Sequence, residues 1–166
     1  MSDSPASSAA NRPDAIAVVL RENLAELNSL LATVATEELD TRSAPDEWSV
    51  REILLHVIHA ERWTQPQLLE LRRAVDPDGE TPAIGGVTLP DTEANADLNE
   101  LRWALNAVRE DTLRLLQGLA PSQLREPANV EVAEELVDIS FRTMVLTAAD
   151  HQLFHVRQIA RTLGRD

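Results

Sequence analysis

The four histidines of this sequence fall into two groups. His56 and His59 lie in one stretch, and His151 and His155 follow nearly a hundred residues later. His151 and His155 stand four apart, so on an α-helix both imidazoles lie on one face, one turn above the other. That face also carries Met144, Ala148, Ile159 and Leu163 or their close neighbours, where a bundle helix normally buries leucines. Two adjacent buried imidazoles are costly to protonate together, and each needs a hydrogen-bond or metal partner. A divalent metal satisfies both and normally takes a third ligand from another element. His56 shares a stripe with Ile53, Ala60 and Trp63 by steps of three and four, so it faces the core and is the expected third ligand. His59 sits about 60° further round the helix, between Leu55 and Arg62, as a flanking residue. Three neutral imidazoles plus water make an open, catalytic metal site rather than a closed structural one. The competing reading is that these are core or edge histidines satisfied by backbone carbonyls. His-x-x-x-His alone is a weak signal, because it lacks the intervening glutamate of the zinc proteases.

A ring held by a metal through one nitrogen usually donates its other N–H to a neighbour. Asp150 and Gln158, the latter one turn beyond His155, are the candidates for that role. Glu61 is the carboxylate expected nearest the rim of the site.

Composition narrows the function classes. Without cysteine there is no disulfide, no thiolate nucleophile and no sulfur-ligated metal, so a metal must sit on histidine, carboxylate or water. A reducing cytoplasm is compatible with this. Acidic residues outnumber basic ones 28 to 15, for a formal net charge of -13. Binding a polyphosphate relies on basic side chains displacing counterions, so nucleic acid and anionic membrane surfaces are not expected partners. No apolar run is long enough to span a bilayer, and the start of the chain lacks the basic and apolar segments of a signal peptide.

The elements that must position the histidines read as helices. Few glycines, abundant Ala, Leu, Glu and Arg, and long 3.6-residue periods predict an all-α protein, and no strand pattern longer than a few residues stands out. Residues 1–12 are expected to form a flexible arm, with a single domain over 13–166. The first helix should start near Pro13, capped by Asn11 or Asp14, and present Ile16, Asn23, Leu24, Leu27 and Leu31 on one side. The second should run from Val50 to about Arg73. Ser49 and Glu52 form its capping box, Trp48 can fold back over its start, and Pro66 should kink or break it. Residues 75–95, rich in Pro, Gly and Asp, read as a long crossover. A third helix spans about 96–117 and stops at Gly118. Residues 120–134 form another connection, and a fourth helix spans about 136–163 with Gly164 beyond it. Four such helices with long connections make a four-helix bundle, where metal sites are built inward from facing helices.

Two segments resemble a known family. Glu47-Trp48-Ser49-Val50-Arg51-Glu52 and on to His56 is similar to the W-S-x-x-E-x-x-x-H signature of the DinB-like superfamily. His151-Gln152-Leu153-Phe154-His155-Val156-Arg157-Gln158-Ile159 is similar to its closing H-x-x-x-H-x-x-Q-I. The resemblance implies a four-helix bundle carrying a divalent metal, commonly nickel or zinc, on His56, His151 and His155. It also implies relatives that transfer or isomerise with a low-molecular-weight thiol such as mycothiol, bacillithiol or glutathione, and that often form homodimers. Polar contacts to such a thiol would fall to Arg62, Trp63, Gln67 or Arg142, although each also reads as a surface or packing residue, Trp63 as core. The reaction expected is thus thiol-dependent transfer on a small-molecule substrate, in a pocket formed by the 75–95 crossover and the ends of the second and fourth helices. The alternatives are a metal-dependent hydrolase of small amides or esters and a non-catalytic metal-binding stress protein.

Overall fold

The computed structural model describes residues 12–91 and 95–165; the expected arm, and Asn11 with it, lies outside them. Four helices carry the fold: α1 (Pro13–Leu31), α2 (Val50–Val75), α3 (Leu98–Leu116) and α4 (Phe141–Thr162). A short 3₁₀ turn, Thr36–Asp40, and a hairpin of β1 (Pro127–Val132) and β2 (Glu135–Ser140) complete it. The bundle is therefore helical but not all-α, which corrects the fold class read from the sequence. Each of α1 and α2 packs against both α3 and α4. α1 thus lies diagonally across the bundle from α2, and α3 from α4.

The helix starts follow local chemistry. Ser49 accepts from the backbone N–H of Glu52 at 3.2 Å, and the Glu52 carboxylate accepts from the Ser49 N–H at 2.7 Å, the reciprocal box expected from the sequence. The Ser49 backbone N–H, the Arg42 guanidinium and the Ser49 hydroxyl together hold the Glu52 carboxyl down to about 2. A depressed carboxyl contributes stability above its unfolded value, and that contribution is lost as pH falls through the folded one. Ser49→Ala should cost about 1 kcal/mol in urea unfolding at pH 7. The stability advantage of wild type over Glu52→Gln should shrink below pH 4.5 and vanish near pH 2. At α1 Asp14 does not cap; Arg12 occupies the N-cap without a side-chain bond, and Pro13 opens the first turn, where its missing N–H costs nothing. Gly118 (φ 80°) and Gly164 (φ 63°) follow α3 and α4 in the left-handed region, as expected of helix stops.

Pro66 neither ends nor splits α2, which continues to Val75. An interior proline costs a helix roughly 3 kcal/mol. Beyond it α2 buries Leu68, Leu71 and Arg72, and each buried leucine returns about 1.5–3 kcal/mol, so packing wins.

Residues 136–140, expected in the fourth helix, are strand β2. The chain turns at Ala133 and Glu134, which have positive φ (51° and 67°), and Val132 pairs with Glu135. Positive φ at both central residues is what a two-residue hairpin with native strand twist requires. Pairing of Val130 with Val137 and Ala128 with Ile139 puts those residues on one face. That face meets α2 and α4, while Leu136 on the other is 74% exposed.

Two apolar clusters make the core. One joins Leu27, Leu31, Ile53, Ile58, Leu105 and Ile159; the other joins Ile16, Leu20, Leu68, Leu115, Phe141 and Val145. Along the helices a buried polar layer separates them, formed by Asn23, Glu61, Gln65, Arg109, Thr112 and Gln152. Arg109, 1% exposed, grips Glu61 with two nitrogens at 3.0 Å each and also donates to Gln152 Oε1 and the Leu20 carbonyl. Thr112 donates to Glu61 at 2.8 Å, and Asn23 to the Ala149 carbonyl at 3.2 Å. Among the described residues no helix is long and apolar enough to cross a membrane.

Candidate functional site

The capping box that starts α2 also sets the phase of His56, four residues beyond Glu52. On α4 the core-facing stripe runs Val145, Ala149, Gln152, Val156, Ile159, and His151 and His155 lie along its edge toward α2. The contact between α2 and α4 closes the gap. His151 Nε2 lies 3.2 Å from His56 Nε2 and 3.1 Å from His155 Nε2. Tetrahedral coordination with metal–nitrogen bonds of about 2.0–2.1 Å places ligand nitrogens about 3.3–3.4 Å apart, so these two separations lie within a few tenths of an ångström of what an ion requires. The three rings present like nitrogens to one point, a donor set suited to a borderline divalent cation. The three residues selected from the sequence all meet here, their ligand nitrogens within 4.8 Å of one another.

Their surroundings keep them ready to bind. Burial first, and then the neighbouring imidazoles, hold His56 and His151 below the ordinary histidine value, so both are neutral at pH 7. Gln158 Oε1 accepts from His155 Nδ1 at 2.7 Å. That bond fixes the proton on Nδ1 and leaves the Nε2 lone pair facing the other rings. Trp48, ahead of the box, lies with its ring centroid 4.8 Å from that of His56 and stacks at 6.3 Å on His155; it covers the triad rather than only the helix start. Phe154 meets His155 edge-on at 5.1 Å. Removing a partner that orients a metal-bound histidine typically costs 10–100-fold in affinity. Gln158→Leu should therefore weaken divalent-metal binding by about that factor in a calorimetric titration, with the melting curve of the metal-free protein little changed.

The other singled-out residues divide. His59 bonds the Pro90 carbonyl at 2.7 Å and pins the crossover, outside the triad as expected. Asp150 is exposed and, among the described residues, makes no hydrogen bond to any of the three rings. Arg62 is committed to Asp111 at 2.6 Å and Gln65 at 2.8 Å; Asp111 also accepts from Gly85 at 2.9 Å, another tie to the crossover. Arg142 sits in the first turn of α4. Trp63, expected in the core, is 53% exposed, because its side of α2 faces a cavity instead of a helix.

That cavity, about 320 Å³, lies between α2, α4 and the hairpin, with His151 in its wall. Its lining is mostly apolar, including Trp63, Met144, Ala148, Val132, Val137 and Ile139; Gln67 lines it as well. Among the described residues the crossover takes no part, which corrects the expected position of the pocket. The hairpin supplies the missing wall, and the alternation Val130-Glu131-Val132 and Val137-Asp138-Ile139 was the signal for it. Glu61 also lines the cavity, but its oxygens are taken by Arg109 and Thr112. Gln152 was missed altogether, although its place in the three- and four-residue steps of the α4 stripe marks it as buried.

Comparisons with known proteins agree with this geometry at the level of fold. YfiT from Bacillus subtilis, described as "a probable metal-dependent hydrolase with an unusual four-helix bundle topology", aligns at TM-score 0.62 and 20% identity over 99% of this chain and 92% of its own. A crystal structure of the DinB-like protein YjoA, also from Bacillus subtilis, aligns at TM-score 0.60 and 15% identity, covering 91% of this chain and 93% of that one. Comparison with curated protein sequences gives no match. The family model of the DinB superfamily matches residues 20–159, the helices and the three converging histidines included, and the chain belongs to that superfamily.

Proposed function

We propose that His56, His151 and His155 hold a divalent metal ion, nickel or zinc, and that the protein is a metal-dependent enzyme that transfers or isomerises with a low-molecular-weight thiol. The observation that carries this reading is the convergence of three Nε2 atoms in steps of 3.1 and 3.2 Å, with one of the three rings, His151, in the wall of an apolar cavity. When bound, a divalent ion on three imidazoles brings a thiol or water toward ionisation at neutral pH. The chain's own residues do the rest. Burial keeps His56 and His151 neutral, Gln158 holds the His155 tautomer, Trp48 shields the trio from one side, and the cavity takes the apolar part of a small substrate. Among the residues lining the cavity no carboxylate is free to act as a base, since Glu61 is tied to Arg109 and Thr112. Hydrolases of the His-Glu-x-x-His type draw on such a base; thiol transfer does not need one there.

Hydrolysis of small amides or esters is the second reading, supported by the likeness to YfiT and its printed description. Titrating cobalt-loaded protein with glutathione, mycothiol and bacillithiol separates the two. A sulfur-to-metal charge-transfer band with one of them is expected. No band with any of the three, together with metal-dependent turnover of small esters, would replace thiol transfer by hydrolysis. Neither band nor turnover would leave a metal-binding protein without catalysis.

A further inference from the structure

The cavity's chemistry points to the kind of molecule it takes. Its volume of about 320 Å³ is at the lower end of small-molecule sites, roughly 300–1,000 Å³. No arginine or lysine lines it, and the carboxylate that does, Glu61, is already neutralised by Arg109. In the metal-free protein an anionic ligand would leave water there without a compensating charge in the wall, which is costly. One polar group in the wall is left over. Gln152 is 2% exposed, and its Nε2 has no hydrogen-bond partner. Its orientation is not arbitrary: arginine only donates, so the atom facing Arg109 is Oε1 and the amide N–H groups must turn elsewhere. A buried donor left unpaired costs about 1–3 kcal/mol, and it stands next to His151 in the chain.

We infer that the cavity is a binding site for an uncharged, largely apolar small molecule, an aryl or short alkyl compound bearing one carbonyl acceptor that Gln152 Nε2 receives once a small turn of that side chain uncovers it, with Val132, Val137 and Ile139 of the hairpin setting its size. The site deepens the functional reading above and relies on it for the reaction, but the binding itself needs no metal.

The probe is the neutral fluorescent ketone 6-propionyl-2-(dimethylamino)naphthalene, titrated into full-length metal-free protein and into the cobalt-loaded form. A blue-shifted, saturable emission is expected in both. Displacement from the metal-free form by three compounds of similar shape then reads the chemistry. 2-Acetylnaphthalene should compete best, 2-ethylnaphthalene about 3–10-fold less well, and 2-naphthoate at least 10-fold less well than the ketone. Ala148→Trp, which fills the space, and Val137→Asp, which charges its wall, should each weaken probe binding at least 10-fold. Leu136→Asp, on the outer face of the same hairpin, should leave it unchanged. Melting curves of all three variants show that the fold persists. Naphthoate binding as tightly as the ketone, or unchanged binding in Ala148→Trp, would overturn the site, as would equal loss in the 136 and 137 variants. Equal competition by the ethyl and acetyl compounds would remove Gln152 as the donor and with it the carbonyl requirement. Probe binding in a protein that takes up no metal would sink the metal reading and leave this one standing, and the reverse result would do the opposite.

Discussion

His151→Ala is expected to lower divalent-metal affinity by about 100- to 1,000-fold. Four-ligand zinc sites bind with roughly 10–16 kcal/mol, or about 3–4 kcal/mol per ligand, and each 1.4 kcal/mol is a factor of ten. His151 is the ring whose Nε2 touches both others, so no second arrangement of the remaining pair replaces it. Elemental analysis of untagged protein should find near-stoichiometric metal in the wild type and little in the variant, with helical content retained. Stoichiometric metal in His151→Ala would remove that residue from the site. His59→Ala is the informative contrast. It loses its bond to Pro90 and loosens the crossover, but keeps the metal.

Arg109→Met is expected to destabilise the protein by about 3–5 kcal/mol, because removing one partner of a buried ion pair strands the other charge. Here the stranded group is Glu61, only 8% exposed. For a chain of this size each kcal/mol shifts the melting temperature by about 2–4 °C, so a fall of roughly 6–20 °C should appear in calorimetry. Glu61→Leu should fall comparably. The double variant, with no buried charge left, should lose clearly less than the sum of the two, since neighbours in one network are not additive. Additive losses would show that the pair contributes packing rather than charge compensation.

Much of this organisation was legible beforehand, for reasons tied to particular residues. Ser49 and Glu52 announce the start of α2 because two backbone donors need those two side chains. The spacing of His151 and His155 becomes geometry as soon as the segment is helical, and His56 follows from the phase of Ile53. What escaped reading has equally specific causes. The hairpin turns on Ala133 and Glu134, where glycine or asparagine is the usual sign, so tertiary packing holds a turn that local preference does not advertise. Trp63 lies on an inward stripe by angle, but periodicity tells which way a residue points and not what stands opposite. Arg109 and Glu61 belong to residue types almost never fully buried unless paired. Their partnership spans 48 positions between two helices, which no local pattern reveals.

The hairpin has a consequence for how such a protein diversifies. The chelating side chains are borne by helices whose remaining residues interlock, so changing them risks the scaffold. The ribbon that walls the cavity contributes Val132, Val137 and Ile139 from a fourteen-residue excursion, Pro127–Ser140, that interrupts no helix. Selectivity is thereby separable from chelation. Exchanging a few side chains on that ribbon would retailor what is admitted while the inner machinery stays as it is.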